Sequence, residues 1–170
     1  MIQFMRDLVM PYRDPFHLQD LDYLKFKHVR DRLLFIHLNP VCLKLLIEMA
    51  NYTKSKGHVL TVTSTVSSLS EDKRLGRVSD THLTRRAFDI RTRDMSERVL
   101  DSLVEEFSTK YSSIGAKNLK GDSRLIVNES THLHVQLDRL FSEQPISETL
   151  WNWATKQLNN RRNSGKILRN

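Results

Sequence analysis

An α+β domain is the fold class predicted by three stretches of the chain. Residues 58–63 (HVLTVT) alternate in polarity and are rich in β-branched side chains, the pattern of a half-buried strand. Residues 124–127 and 132–137 form two further β segments around Asn128, Glu129 and Ser130, which is a hairpin pattern. Helical stretches with apolar faces begin at Asn39-Pro40 and at Ser96, so helices and hairpin strands fall in separate runs instead of a regular βαβ alternation.

The size supports one such domain. A chain of 170 residues, 39% hydrophobic and 28% charged, buries roughly 70% of its unfolded surface, and it needs neither a disulfide nor a structural metal merely to fold. Cys42 is the single cysteine, which excludes an intramolecular disulfide and every multi-cysteine zinc motif. No stretch approaches the roughly 20 apolar residues of a membrane span. The N-terminal MIQFMRDLVMPYRD carries two acids and a proline where a signal peptide has an apolar run, so synthesis in the cytoplasm is expected.

Along the chain, Pro11, Pro15 and charged clusters predict irregular structure before the apolar run Leu33-Leu34-Phe35-Ile36, which suits a strand or a helical turn equally. Asn39 can accept from the free N–H groups of a first helical turn, and Pro40 has no donor to waste there. Val41, Leu43, Leu45, Leu46, Ile47, Met49 and Ala50 make the helix that follows apolar, with Cys42 packed inside it, and Gly57 suits the left-handed residue that ends it. After the 58–63 strand, the Ser/Thr-rich stretch to Ser70 and the charged residues 71–77 read as loop. Residues 87–91 read as a short strand, and Ser96 caps a helix to about Tyr111 with Val99, Leu100, Leu103, Val104 and Phe107 inward. A loop containing Gly115 and Gly121 leads to the hairpin. A last helix runs from Ser147 to about Leu158, and its Trp151 and Trp153 cannot both face the core. His37 and His58, flanking the central helix, read as ordinary hydrogen-bonding residues.

Charge is unevenly placed. Of a formal +7, from 27 basic and 20 acidic residues, the stretch from Asn152 to the end holds +5 (Lys156, Arg161, Arg162, Lys166, Arg169) and no acid, leaving +2 for everything before it. A basic tail favours polyanions such as nucleic acid, anionic lipid or an acidic wall polymer.

The chemistry lies in three histidines and an aspartate. His82 precedes Asp89 by seven residues in THLTRRAFDI, and His132 and His134 alternate in THLHVQL. On a strand both imidazoles would project from one face while Leu133 and Val135 take the other. Asp89 stands among Ala87, Phe88 and Ile90, where a carboxylate is costly without a positive partner, and a metal ion is one such partner. Two imidazoles and a carboxylate are a common catalytic zinc set with a fourth position left open.

These pieces resemble, in order, the zinc D-Ala-D-Ala carboxypeptidase and L-Ala-D-Glu endopeptidase family of peptidoglycan hydrolases, including phage endolysins of that type. The resemblance covers about residues 39–137. It rests on an apolar helix leading to the strand and turn HVLTVTSTVSS, then Ser79-Asp80-Thr81-His82-Leu83-Thr84-Arg85-Arg86-Ala87-Phe88-Asp89 against the pattern S-x-H-x-x-G-x-A-x-D, and last His132-Leu133-His134-Val135-Gln136. It implies a small antiparallel sheet carrying a zinc site and packed against helices, as in hedgehog-like and D-Ala-D-Ala-peptidase-like folds. The domain would span residues 1–158, followed by a basic tail at 159–170. The resemblance also implies Zn2+ as cofactor, with His82 and Asp89 as ligands. For the third ligand it offers two alternatives: His134, with His132 handling the proton, or His132, with Glu129 as general base. The residues after His134 favour the first. Three positions depart from the family: Arg85 stands at its glycine, Ser79 is one residue further from His82 than its serine, and Ser67 replaces the arginine of its T-S-x-x-R turn.

The function implied is a zinc metallopeptidase hydrolysing an amide bond of the peptidoglycan stem peptide. Such an enzyme would act on the cell wall or periplasm, as a monomer, with nucleic acid not its partner. The alternative is a catalytically inactive member of the same fold that binds nucleic acid or an assembly partner.

Overall fold

The computed structural model describes residues 22–164. The prolines at 11 and 15 and the end of the basic tail, with Lys166 and Arg169, lie outside the described residues. The chain forms an α+β fold with a mixed five-stranded sheet in the order β1-β2-β3-β7-β6. Its strands are β1 (Leu24–Phe26), β2 (Leu60–Ser64), β3 (Ala87–Arg91), β6 (Ile126–Asn128) and β7 (His132–Gln136). A separate two-stranded sheet joins β4 (Ala116–Lys117) to β5 (Ser123–Arg124). Among the described residues the helices are α1 (Val29–Leu34), α2 (Pro40–Ser55), α3 (Leu69–Leu75), α4 (Glu97–Lys110) and α5 (Glu148–Ser164).

Several elements follow directly from local chemistry. Asn39 Oδ1 accepts from the Val41 N–H at 2.9 Å with Pro40 at the first helical position, and Gly57, beyond the end of α2, takes φ 78°. Cys42, Leu45, Leu46 and Met49 on the inner side of α2 meet Leu103 and Phe107 of α4, and both helices cover the apolar face of the sheet. That face presents Leu60 and Val62 from β2, Phe88 and Ile90 from β3, and Leu133 and Val135 from β7, each with no exposed surface. Alternation along β3 and β7 therefore turns Asp89, His132 and His134 to the opposite face. Trp151 is buried and Trp153 is 37% exposed, so one helix face packs and the other meets solvent.

The structure corrects the expected antiparallel sheet. β1 pairs with β2 in parallel (Leu24 with Leu60, Phe26 with Val62), whereas the other pairs of the sheet are antiparallel. Residues 33–36 resolve as helix: α1 runs through Leu34, and a single 3₁₀ turn follows at Phe35–His37. Most of the stretch expected to be loop at 71–77 is α3. Ser68 Oγ accepts from the Glu71 N–H at 3.2 Å, two acids occupy the first turn, and Gly76 closes the helix at φ 64°. Those are the start and stop signals of a helix, present in sequence as S-x-x-E and a following glycine. The last helix continues to Ser164, so the first part of the basic stretch is helical. Gly115 is required by space, since a Cβ there would lie 2.5 Å from the Leu125 backbone nitrogen.

Candidate metal centre

Three side chains from two strands and a turn converge on the polar face of the sheet. Asp89 in β3 is paired in register with His134 in β7, so the two side chains are cross-strand neighbours, and Arg91 pairs with His132 one step along. His82 arrives from the turn before β3, which is closed by Thr84 N–H to Asp80 O at 2.8 Å and Arg86 N–H to Thr81 O at 3.0 Å. Ligand atoms from His82, Asp89 and His134 all lie within 4.8 Å of one another, and this trio can hold a metal ion.

The individual distances define the centre. Asp89 Oδ1 is 2.7 Å from His134 Nδ1 and 3.3 Å from His82 Nε2, while His132 Nε2 stands 4.0 Å away. His132 Nε2 is 3.3 Å from Glu129 Oε2. His82 and Asp89 are buried, His134 and His132 are half-buried, and Glu129 is exposed. Of the two alternatives for a third ligand, the geometry gathers His134 into the trio and leaves His132 with Glu129 beside it. The facing histidines hold Asp89 well below the usual carboxylate range, against the upward push of its burial.

Each imidazole of the trio is held from behind. His82 Nδ1 donates to the Thr65 carbonyl, which can only accept, so in the neutral ring Nε2 carries a lone pair turned toward Asp89. His134 Nε2 lies 3.3 Å from Thr81 Oγ1, and that hydroxyl also accepts from Ser79 Oγ at 3.1 Å. The outer nitrogens are thus engaged and the inner ones converge on one carboxylate oxygen. His134 Nδ1 is at hydrogen-bond distance from it, whereas the lone pair of a neutral His82 Nε2 is repelled by it unless a proton or a metal cation lies between them. The donor set fits zinc, with outer-nitrogen partners of the kind that orient metal-bound histidines.

The residues around the centre bear on what else can bind there. Ser67, where the resembled family has arginine, is buried, and its hydroxyl has no hydrogen-bond partner among the described residues. Arg74 is engaged by Glu71 through two hydrogen bonds of 2.7 and 2.8 Å, and Arg77 by Asp72 at 3.1 Å. Arg85 occupies the glycine position of the family pattern at φ 63°, in the left-handed region. Its guanidinium bonds the backbone carbonyls of His37 and Gln144.

Thr65 and Thr81 support the candidate ligands His82 and His134, and sequence reasoning missed both. Thr81 adjoins His82 and was findable as its neighbour, whereas Thr65 is 17 residues distant. Cys42 is fully buried, and burial pushes its thiol far above the ordinary range, consistent with inert packing. His58 Nδ1 meets the Asp94 carbonyl at 3.3 Å, the ordinary hydrogen bond expected of it. Among the described residues no helix is long and apolar enough to cross a membrane. Compared with protein-family models, curated proteins and solved structures, the chain has no match.

Proposed function

We propose that the protein is a zinc-dependent peptidoglycan peptidase of the endolysin type, hydrolysing an amide bond of the stem peptide. The observation that carries this reading is the convergence of His82 Nε2 and His134 Nδ1 on Asp89 Oδ1, with both outer nitrogens already occupied. His82, Asp89 and His134 would hold the ion. Zinc in such a set supplies Lewis acidity, polarising an amide carbonyl and drawing the pKa of water toward neutrality.

The remaining chemistry belongs to the chain's own residues. His132 is half-buried beside the trio, with Nδ1 near Thr131 Oγ1 at 3.1 Å and Nε2 toward both Asp89 and Glu129. With the ring proton on Nδ1, Nε2 can take a proton from water as the water oxygen bonds to the scissile carbon. Glu129, 3.3 Å from the same nitrogen, then stabilises the imidazolium. His132 returns that proton to the leaving nitrogen as the C–N bond breaks. No guanidinium stands at Ser67, and Arg74 and Arg77 are engaged by Glu71 and Asp72, so a substrate carboxylate or carbonyl would fall to the exposed Lys73.

The test is digestion of purified peptidoglycan by the zinc-loaded protein, with released fragments identified by mass spectrometry. Wild type should release peptide-cleaved muropeptides, and His82→Ala and Asp89→Ala should release none. A wild-type protein that binds zinc yet frees no fragments would refute the peptidase reading.

A further inference from the structure

Behind the centre lies a buried carboxylate that the mechanism above does not use. Asp31, in α1, has no exposed surface. Its Oδ1 accepts from the Thr65 N–H at 3.0 Å and from Thr65 Oγ1 at 3.2 Å, so both donors of that residue are committed to one oxygen. The carbonyl of the same Thr65 is the acceptor for His82 Nδ1. The next residues repeat the grip, with the Ser67 N–H bonding the His82 backbone carbonyl at 3.2 Å. The turn after β2 therefore clasps His82 by side chain and backbone, and Asp31 anchors that turn from the far side.

Keeping a carboxylate there is costly. The Asp31 Oδ2 atom is buried and has no hydrogen-bond partner among the described residues, and its nearest cation, Arg30 Nη2, stands 3.6 Å away. Arg30 itself packs over the Trp151 ring at 4.5 Å and reaches toward Glu71 at 3.7 Å. A neutral acceptor would satisfy the Thr65 N–H with less desolvation, so stability alone gives a poor reason for an acid at this position. A charged acceptor polarises the Thr65 amide more strongly and fixes it more tightly.

We propose that Asp31 is a positioning residue for the metal centre, acting through Thr65 to aim His82 and to keep its ring proton on Nδ1. The proposal rests on the trio being a metal centre, and it adds a residue 51 positions before His82 in the chain to that centre's supporting shell.

The experiment compares wild type, Asp31→Asn, Asp31→Ala and Ser68→Ala. The last weakens the neighbouring α3 cap without touching Thr65. Zinc affinity is read by competition with a chromophoric chelator, and the His82 tautomer by side-chain 15N NMR of the metal-free protein. Asp31→Ala should bind zinc about tenfold more weakly, in the range seen for lost outer partners of metal ligands. Asp31→Asn, which keeps a neutral acceptor, should lose about threefold. Ser68→Ala should bind as wild type does, and only the Asp31 variants should show a mixed His82 tautomer. If Asp31→Ala, or Asp31→Asn should the alanine variant not fold, keeps wild-type zinc affinity and tautomer, Asp31 is only a fold-stabilising residue and the proposal is overturned. Should wild type itself bind no zinc, the metal reading fails, and the tautomer comparison alone decides the link from Asp31 to His82.

Discussion

Arg85 shows how the site's entry turn is held. Its φ of 63° is one that an L-residue adopts at a cost of roughly 1–2 kcal/mol, and the two carbonyls that bind its guanidinium offset part of that cost. Arg85→Gly removes both strain and hydrogen bonds, whereas Arg85→Ala removes only the hydrogen bonds. The glycine variant should be about 1 kcal/mol more stable than the alanine variant in urea unfolding, and equal stabilities would contradict the left-handed turn. A second residue-scale prediction concerns pH. Burial raises the Asp31 carboxyl above its ordinary value, outweighing the nearby Arg30 and the Thr65 hydrogen bonds. An acid raised on folding favours the folded state while protonated, below about pH 4, and that contribution is lost as pH rises through the folded value. Relative to Asp31→Asn, which does not titrate, wild type should lose stability as pH rises from about 4 through the folded value. A stability gap that is flat across that range would contradict the raised value. The trio itself was legible in sequence because His82, Asp89 and the alternating histidines lie in short local patterns. Asp31 and Thr65 were not, because nothing local marks two residues 34 positions apart as partners.

At the scale of elements, legibility followed the strength of local signals. The bounds of β3 follow from its Ala-Phe-Asp-Ile-Arg run, and the start of α2 from Asn39-Pro40. β1 is three residues long, and its parallel pairing with β2 spans 36 positions, which no local pattern encodes. The helix α3 was missed because its Ser/Thr-rich approach and charged body resemble a loop, although Ser68, Glu71 and Gly76 cap both ends. α3 follows directly on the turn that grips His82. Ser70 of α3 also bonds Glu148 at the start of α5, through N–H at 3.0 Å and Oγ at 2.7 Å. Ser68→Ala should lower unfolding free energy by about 1 kcal/mol, as loss of a serine N-cap does, and a change below a few tenths would show that the cap contributes nothing.

For the whole molecule, the sheet acts as a divider. Its apolar face packs on α2 and α4, and its other face holds titratable residues in a rigid register, a geometry suited to fixing metal ligands from separate strands. The net charge of +7 divides along the same chain, with +5 of it carried from Asn152 onward. Removing residues 159–170 leaves the buried Trp151 and Ala154 in place. Under the proposed function, cleavage of small soluble muropeptides should persist after this truncation while binding to intact wall weakens and loses its salt dependence. Equal loss of both would tie the basic stretch to the centre itself.

The most direct test of the central claim, that His82, Asp89 and His134 together hold zinc, is metal stoichiometry by elemental analysis after chelation and reloading. The measurement compares wild type with His82→Ala, Asp89→Ala, His134→Ala and His132→Ala. Wild type and His132→Ala should retain about one zinc per chain, and the three trio variants close to none. Zinc retained in His134→Ala but lost in His132→Ala, or no stoichiometric zinc in wild type, would contradict it.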